Sequence, residues 1–352
     1  MSPDPLGKIT LIVLLFSALI VGALLSYIWV MGYYIGLGIN VPEVSSVVIT
    51  DVSVSPRDPT YFNLSILNPS FSPSEAKILR ISVLTSDGVI HNVKNTYPPL
   101  QKGLTLQVGE SKILRCYWNW ADYAGETVRV AIFLDQGSGA TFQKALPFVN
   151  ILITRVNLNP KRGNQLNLTI ENSPSSVTYV NITGVTVLIG ERTEEAYVTD
   201  PQLPVSLYPG DYCNLTCLWT WTHHQDETIT IIVNTQEGYT ARSVKNIPTF
   251  VILRLTSISF NPIKPSKFNV TITNDQSSAI AVNLTGVYIT FPNGTSIGVV
   301  VLNPRLPYAL HKNETVTLNC LWDWNDYRDQ EISVTVITLE RYKVSATSRT
   351  PP

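Results

Sequence analysis

The sequence predicts an all-β protein in which three tandem β-sandwiches follow one N-terminal transmembrane helix. Residues 9–42 carry no charged side chain, and the rest of the chain repeats one pattern three times at a spacing of 101–104 residues. A hydrophobic content of 44%, with 7 Trp and 16 Tyr, provides enough apolar surface to form cores and argues against disorder. Each copy of the pattern shows the period-two alternation of half-buried strands.

The apolar stretch at the N-terminus is long enough to cross a membrane. A transmembrane helix needs about 20 consecutive apolar residues, and the uncharged stretch at 9–42 exceeds this length. A secretory signal has a shorter apolar region of about 7–15 residues and a small-residue cleavage site. A buried soluble helix is the weaker alternative, because an all-round apolar helix at a terminus has little to pack against. We predict an uncleaved helix at 9–36 in membrane lipid and a tether at 37–46.

The flanks of this stretch predict its orientation. Lys8 precedes it, and the next basic residue is Arg57. Positive charge collects on the cytoplasmic side. We therefore predict a single-pass protein of the cell membrane, with residues 1–8 in the cytoplasm and the bulk of the chain extracellular. The aromatic residues at the far end are typical of a membrane interface; they are Tyr27, Trp29, Tyr33 and Tyr34.

Three copies of a Cys-x-Trp-x-Trp motif mark the repeats. The motif residues are Cys116, Trp118, Trp120, Cys217, Trp219, Trp221, Cys320, Trp322 and Trp324. A residue type that tolerates positive φ stands seven positions before each cysteine, so one turn explains all three copies; these residues are Gly109, Gly210 and Asn313. An alternating segment upstream ends each time in an asparagine; these are Asn68, Asn172 and Asn274. The markers define domains at 47–149, 150–249 and 250–348.

Alternation around the motif predicts a strand with its tryptophans in the core. Leu114, Cys116, Trp118 and Trp120 share one face of that strand. The outer tryptophan of each pair (Trp120 and its equivalents) is expected to be partly exposed at the end of the sandwich. About seven strands per copy are typical of such a fold. The junctions contain no Gly/Ser linker, so we expect a fairly stiff rod.

The ordered motifs resemble a known group of domains. Each copy has a segment such as Leu166-Asn-Leu-Thr-Ile170 followed by Asn172, then a turn, a strand that ends in Trp, and a last alternating strand. This resembles the CARDB-type immunoglobulin-like domains, which occur in tandem on archaeal and bacterial surface proteins. The resemblance implies three tandem immunoglobulin-like β-sandwich domains and little about a ligand. The motif cysteine and Asn313, in place of glycine, depart from the group's pattern.

Composition and motifs exclude several functions. A net charge of −1 argues against a nucleic-acid partner. Four His occur, without a nucleophile elbow, a zinc-protease motif or a phosphate-binding loop. We therefore predict no catalysis and no cofactor, although a carboxylate pair needs no local motif.

The cysteines and the polar loops are weak candidates for ligand sites. Cys213 and Cys217 lie four apart on one predicted strand, about 13 Å, whereas a disulfide needs Cα atoms within about 7 Å. We expect free, buried thiols. The segment 223–227 contains two His and two acids, but adjacent His residues rarely converge on one metal, so no metal site is predicted. Acidic loops at 122–126 and 326–331 lack the spacing of a calcium loop.

Eight sequons make glycosylation a candidate modification. Several fall at equivalent positions on strands, where alternation turns the asparagine outward. The candidates are Asn63, Asn167, Asn181, Asn214, Asn269, Asn283, Asn293 and Asn313.

These observations favour a membrane-anchored extracellular repeat protein that acts as a structural or adhesive stalk of the cell envelope. Its expected partners are membrane lipid through residues 9–36, other cell-surface proteins or glycans, and other copies of itself. One alternative is a pilin-like filament subunit with a leader cleaved near Gly7-Lys8, although three domains are large for a pilin. The other is a carbohydrate-binding receptor module that uses the tryptophans.

Overall fold

The computed structural model describes residues 5–36, 45–100, 103–136 and 139–352, and within the helix it describes side chains only at 13–29. The helix, α1, spans Pro5–Gly36. Its described side chains are exposed and almost all apolar, among them Leu14, Phe16 and Leu25. Among the residues that the structure describes, no helix is found that is both long and apolar enough to cross a membrane. The transmembrane helix stays a prediction, and most of the predicted tether (37–44) lies outside the described residues.

The described strands fall into three groups that follow the three sequence repeats, with no strand pairing between groups. We call these groups repeats 1, 2 and 3. The strands of repeat 1 are β1 Val48–Ser55, β2 Asp58–Leu67, β3 Ala76–Leu84, β4 Ile90–Asn92, β5 Asn95–Tyr97, β6 Leu104–Leu106, β7 Ser111–Tyr117, β8 Thr127–Leu134 and β9 Thr141–Ala145.

Repeats 2 and 3 have the same order of strands. Repeat 2 contains β10 Ile151–Leu158, β11 Gln165–Asn172, β12 Val180–Ile189, β13 Arg192–Asp200, β14 Val205–Leu207, β15 Tyr212–Leu218, β16 Thr228–Thr235 and β17 Thr240–Asn246. Repeat 3 contains β18 Leu253–Phe260, β19 Lys267–Asn274, β20 Val282–Thr290, β21 Ser296–Asn303, β22 Tyr308–Leu310, β23 Glu314–Leu321, β24 Glu331–Thr338 and β25 Lys343–Arg349. The fold is all-β after α1, as predicted.

Each repeat has two layers, and in repeats 2 and 3 one strand belongs to both. In repeat 1 the sheets have the orders β1-β2-β7-β5 and β4-β3-β8-β9. In repeat 2 a single strand, β13, pairs with β12 at its start and with β15 at its end, and so passes from one sheet to the other. β21 does the same in repeat 3. Because short strands such as β6 also pair, the described part of each repeat holds more strands than the seven predicted.

Alternating side chains of the two sheets form the core of each repeat. The burial of β11 alternates along its whole length, with Leu166, Leu168 and Ile170 at 0–1% exposure. This is the pattern expected for a strand with one face on the core.

The burial order within each tryptophan pair is the reverse of the predicted order. Trp120, Trp221 and Trp324 are at most 1% exposed, whereas Trp219 is 6% and Trp322 8% exposed and Trp118 is half-buried. The strands end before the tryptophans, at Tyr117, Leu218 and Leu321. The chain then turns into a short 3₁₀ helix that folds the outer tryptophan under the end of the sandwich. Strand alternation therefore does not extend to these positions.

A buried asparagine holds the opposite end of each sandwich together. In repeat 3, Asn274 is fully buried, and its Nδ2 donates to the carbonyls of Ile280 (3.2 Å) and Leu310 (3.1 Å). Asn68 and Asn172 make the same pair of bonds. The amide joins the end of one strand to the next loop and to the turn before the motif strand. We call this arrangement the asparagine clamp.

The turn beside the clamp has the predicted backbone. Gly109, Gly210 and Asn313 have φ of 79°, 88° and 59°. Each donates its N–H to the carbonyl of the clamp asparagine at 2.8 Å. Positive φ at this position is therefore confirmed, and it explains why asparagine can replace glycine.

We predict that Asn274→Ala destabilises repeat 3 by about 3 kcal/mol, because two buried carbonyls lose their donor at once. Asn269→Ala is the matched control, since Asn269 lies half-exposed on the same strand and such changes cost about 0.5 kcal/mol or less. Urea unfolding followed by tryptophan fluorescence measures both. Equal losses in the two variants would contradict the assignment of the clamp.

Candidate functional site: the junctions between repeats

The end of each repeat that carries the outer tryptophan presents a seat to the next repeat. In repeat 1 the seat consists of Trp120 and the carbonyl of Pro56, which directly follows β1. The indole Nε1 donates to the carbonyl of Tyr61 at 3.1 Å, which fixes the ring. In repeat 2 the equivalent residues are Trp221 and Pro160. We call each pair the tryptophan seat.

A tyrosine from the following repeat occupies each of these two seats. Tyr239 lies in the turn between β16 and β17, and its ring meets Trp120 edge-on with centroids 6.3 Å apart. Its hydroxyl donates to the Pro56 carbonyl at 2.8 Å. Tyr342, in the turn between β24 and β25, meets Trp221 in the same way at 6.1 Å and donates to Pro160 at 3.1 Å. Edge-to-face contacts of this kind are favourable beyond the area that they bury.

Burial keeps both hydroxyls protonated. Tyr239 and Tyr342 are 3% and 2% exposed. Desolvation raises the pKa of each phenol, and the neighbouring carboxylates, Glu237 and Glu340, raise it further. Since only the protonated phenol can donate to a carbonyl, the two junction bonds persist throughout the neutral and mildly alkaline range.

A glutamate two residues before each tyrosine fixes the shape of the turn. Glu340 is 7% exposed and accepts from the backbone N of Asn283 (3.0 Å) and from its Nδ2 (2.7 Å). Glu237 makes the same two bonds to Asn181, at 2.9 and 2.8 Å. The turn is therefore tied to its own sandwich, and the tyrosine is held in place for docking. We call the Glu-x-Tyr segment the docking turn.

Further contacts fix the chain between the repeats. The hydroxyls of Ser176 and Ser278 accept from the backbone N of Asn150 (3.0 Å) and Ile252 (2.9 Å), the residues that lead into β10 and β18. At the second junction Thr222 Oγ1 donates to the Arg341 carbonyl at 2.8 Å.

The first junction has an additional cationic contact. The guanidinium of Arg57 lies 4.7 Å from the centre of the Tyr179 ring and also contacts its hydroxyl. Lys161 holds the equivalent position in repeat 2.

Sequence reasoning missed the docking turn, although a signal for it exists. The segments 237–239 and 340–342 both read Glu-x-Tyr, and they are 103 residues apart, the same spacing as the cysteines Cys217 and Cys320. In the first copy Ala140 stands directly before the last strand, where the other copies have tyrosine. The motif therefore occurs in two copies of three.

The motif cysteines lie in the cores rather than at the junctions. All four cysteines are free, and Cys116, Cys217 and Cys320 are buried. Desolvation raises the pKa of these three thiols to about 12 and that of the half-buried Cys213 to about 11. Such thiols are poor nucleophiles at neutral pH.

The His223–His224 segment packs on the motif instead of converging on a site. The His224 ring stacks on Trp219 at 5.4 Å with planes 7° apart, and its Nδ1 lies 2.9 Å from Glu227. The Trp219 Nε1 donates to Glu194 at 2.9 Å. Within the described residues, no group of three or more His, Cys, Asp or Glu is arranged to hold a metal ion.

The inner tryptophans each have one face covered by a neighbouring ring. Trp118 stacks on Tyr123 at 5.4 Å, and Trp322 meets Tyr327 at 5.5 Å. These stacked faces are not open for a sugar ring.

The sequons fall into different environments. Asn181 and Asn283 use their Nδ2 atoms to bind the docking-turn carboxylates. Asn214, Asn293 and Asn313 are exposed, and their Nδ2 atoms make no hydrogen bond within the described residues. The others are half-buried on strands; they are Asn63, Asn167 and Asn269.

We predict that glycans on the native protein occupy Asn293 and Asn313 but not Asn283, because Nδ2 of Asn283 lies 2.7 Å from the buried Glu340 carboxylate and leaves no room for a sugar. Glycopeptide mass spectrometry measures the occupancy of each site. Glu340→Ala, which frees the amide, provides the comparison. A glycan on Asn283 of the folded wild-type chain would contradict the prediction.

Comparison with known proteins gives similarity of fold alone. No protein-family model and no curated protein matches the sequence, so the CARDB-type resemblance is not confirmed. Among solved structures, the archaellum periplasmic stator protein FlaG from Sulfolobus acidocaldarius is 14% identical, with a TM-score of 0.22, and covers 28% of this chain and 100% of its own. A tetra-tandem repeat of a large adhesion protein is 13% identical, with a TM-score of 0.21 and coverages of 87% and 74%. Chicken CNTN1 FN1–FN3 domains are 11% identical, with a TM-score of 0.22 and coverages of 87% and 98%.

Proposed function

We propose that this chain is a membrane-anchored extracellular stalk of the cell envelope, built from three tandem immunoglobulin-like domains, with a structural or adhesive role and no catalysis. The observation that carries the proposal is the repeated docking of Tyr239 on Trp120 and of Tyr342 on Trp221. The chain thus uses one contact twice to fix the direction in which a domain follows its predecessor.

A docked tyrosine is strong enough to keep the domains aligned. Burying a large aromatic side chain contributes about 2 kcal/mol, and its hydrogen bond adds about 1 kcal/mol. An energy of about 3 kcal/mol leaves an undocked orientation at about 1% of the population. The serine contacts and the absence of a Gly/Ser linker reduce the freedom of the junction further. A stalk needs this property, since its reach depends on stiff joints.

Membrane anchoring is supported by the N-terminal segment. Residues 9–42 carry no charge, and successive apolar side chains of α1 are exposed over 13–29. A helix that is apolar on every side is poorly matched to water and well matched to hydrocarbon. The partners proposed for the exterior of the stalk are other cell-surface proteins or glycans.

We predict that Tyr342→Ala broadens the angle between repeats 2 and 3 while each repeat stays folded. Tyr342→Phe keeps the ring but loses the bond to Pro160, so it should cost only about 1 kcal/mol and broaden the angle slightly. Electron microscopy of the detergent-solubilised full chain measures the distribution. Tyr212→Ala is the matched control, because Tyr212 is 70% exposed on an outer face. An unchanged distribution in Tyr342→Ala would refute the stiff-joint argument.

We predict that the native chain stays in the membrane fraction through alkaline carbonate extraction. We also predict that its intact mass is that of a chain that begins at or near Met1. Apolar insertion resists alkaline extraction, whereas peripheral attachment through charge does not. Release by carbonate would refute the anchor. A chain that begins at Lys8 or Ile9 would instead support the pilin-like alternative.

A further inference from the structure

The end of repeat 1 at which the chain enters is built like the ends that dock in repeats 2 and 3. The hydroxyl of Ser72 accepts from the backbone N of Ser46 at 3.1 Å, just as Ser176 and Ser278 hold the entering chain in the later repeats. The clamp residue Asn68 joins the loop between β2 and β3 to the turn before β7. We call this end the leading face. In repeats 2 and 3 the leading face meets the preceding tryptophan seat.

The leading face of repeat 1 lacks the residue that docks on a seat. Ala140 stands where Tyr239 and Tyr342 stand in the other repeats, and residues 135–140 contain no Glu-x-Tyr. The docking turn found in repeats 2 and 3 is therefore missing from the sequence at this end.

Two exposed apolar side chains stand on this face instead. Phe71 is 80% exposed, at the position of Ser175 and Ser277 in the other repeats. Val108 is 44% exposed, at the position of Pro209 and Lys312. Phe71 and its equivalents are aligned by their distance from the clamp asparagine. Val108 and its equivalents are aligned by their distance from the positive-φ residue, so differences in loop length do not affect the alignment. Phe71 therefore adds a large exposed apolar surface at a position where each of the other repeats has a serine.

The backbone places these two side chains on neighbouring turns. Gly109 donates to the Asn68 carbonyl at 2.8 Å, and Asn68 donates to the Glu110 carbonyl at 3.0 Å. The Ser72 N–H donates to the Pro69 carbonyl at 2.9 Å and closes the turn that carries Phe71. Glu110 pairs with Lys112 at 2.9 Å, and Glu75 accepts from Nε2 of Gln107 at 2.9 Å. A face that carries bonded carboxylates and two apolar side chains matches the interfacial zone of a bilayer.

We infer that the leading face of repeat 1 rests on the lipid surface, with Phe71 and Val108 inserted among the headgroups. This inference rests on the proposed membrane anchor. Residues 37–46 separate the predicted helix from the first repeat, and ten residues reach about 35 Å at most. Because the chain enters repeat 1 at the leading face, this is the face turned toward the bilayer. The lipid contact would hold the first repeat at a set angle, as docked tyrosines hold the other two.

The test uses the full chain in lipid nanodiscs and tryptophan as the probe. Phe71→Trp introduces an indole at the proposed contact. Ser175→Trp is the matched control, because Ser175 is exposed at the equivalent position one repeat farther along. Fluorescence is compared with wild type in discs of ordinary lipid and of lipid brominated on its acyl chains. Circular dichroism confirms folding, and carbonate extraction of proteoliposomes reports the anchor separately.

We expect the added emission of Phe71→Trp to be blue-shifted and to lose most of its intensity in brominated lipid, while that of Ser175→Trp stays unquenched. Equal, unquenched emission from both variants in an anchored chain would overturn the inference and leave the anchor intact. A blue shift that depends on protein concentration but not on bromine would assign the face to a second copy and would also overturn it. Release of the chain by carbonate would remove the anchor and the inference together.

Discussion

The rest of the structure depends on the asparagine clamp. A fully buried amide donates to two carbonyls from different loops in each repeat, and its own Oδ1 finds no partner among the described residues. The unmade bond has a cost of about 1–3 kcal/mol. The repeats retain the residue nonetheless, because an apolar side chain would leave two buried carbonyls unpaired instead of one oxygen. The clamp thus determines how the loops at this end of the sandwich pack, and it positions the loop serine that bonds to the entering chain.

The direction in which one repeat follows another depends on this closure. The clamped loop carries the serine that binds the entering chain, so the core of a repeat determines where the preceding repeat attaches. The docking turn is fixed separately, because Glu237 bonds to Asn181 and Glu340 bonds to Asn283 on the neighbouring strand. Serine and tyrosine hold the junction at two points, one on the chain itself and one on the seat. A single point would allow free rotation, and two points restrict it. These side-chain contacts are the physical basis on which we expect the junctions to be stiff.

The sequence predicted most of the fold because its signals are local. Period-two alternation of apolar residues located the strands. Tolerance of positive φ explained why Gly109 and Asn313 occupy equivalent turns of different repeats. The error at Trp120 arose because the strand ends before it, and alternation carries no information beyond a strand end. The junctions were missed for a different reason. Tyr239 bonds to Pro56, 183 residues away, and such a pairing has no local signature. The recurrence of Glu-x-Tyr is visible in the sequence. Two copies of so short a pattern predict a contact only once the structure places them beside a tryptophan seat.

The clamp also explains how one fold can carry different contacts at equivalent ends. It binds through backbone carbonyls, so the outward side chains at 71, 175 and 277 do not affect it. Substitution there costs the sandwich little, whereas substitution of the clamp itself destabilises it. The leading face can therefore exchange serine for Phe71, or tyrosine for Ala140, without a change of fold. Repeats 2 and 3 face another domain and keep the tyrosine. Repeat 1 follows α1 in the sequence, and its leading face presents two apolar side chains in place of a hydrogen-bonding ring.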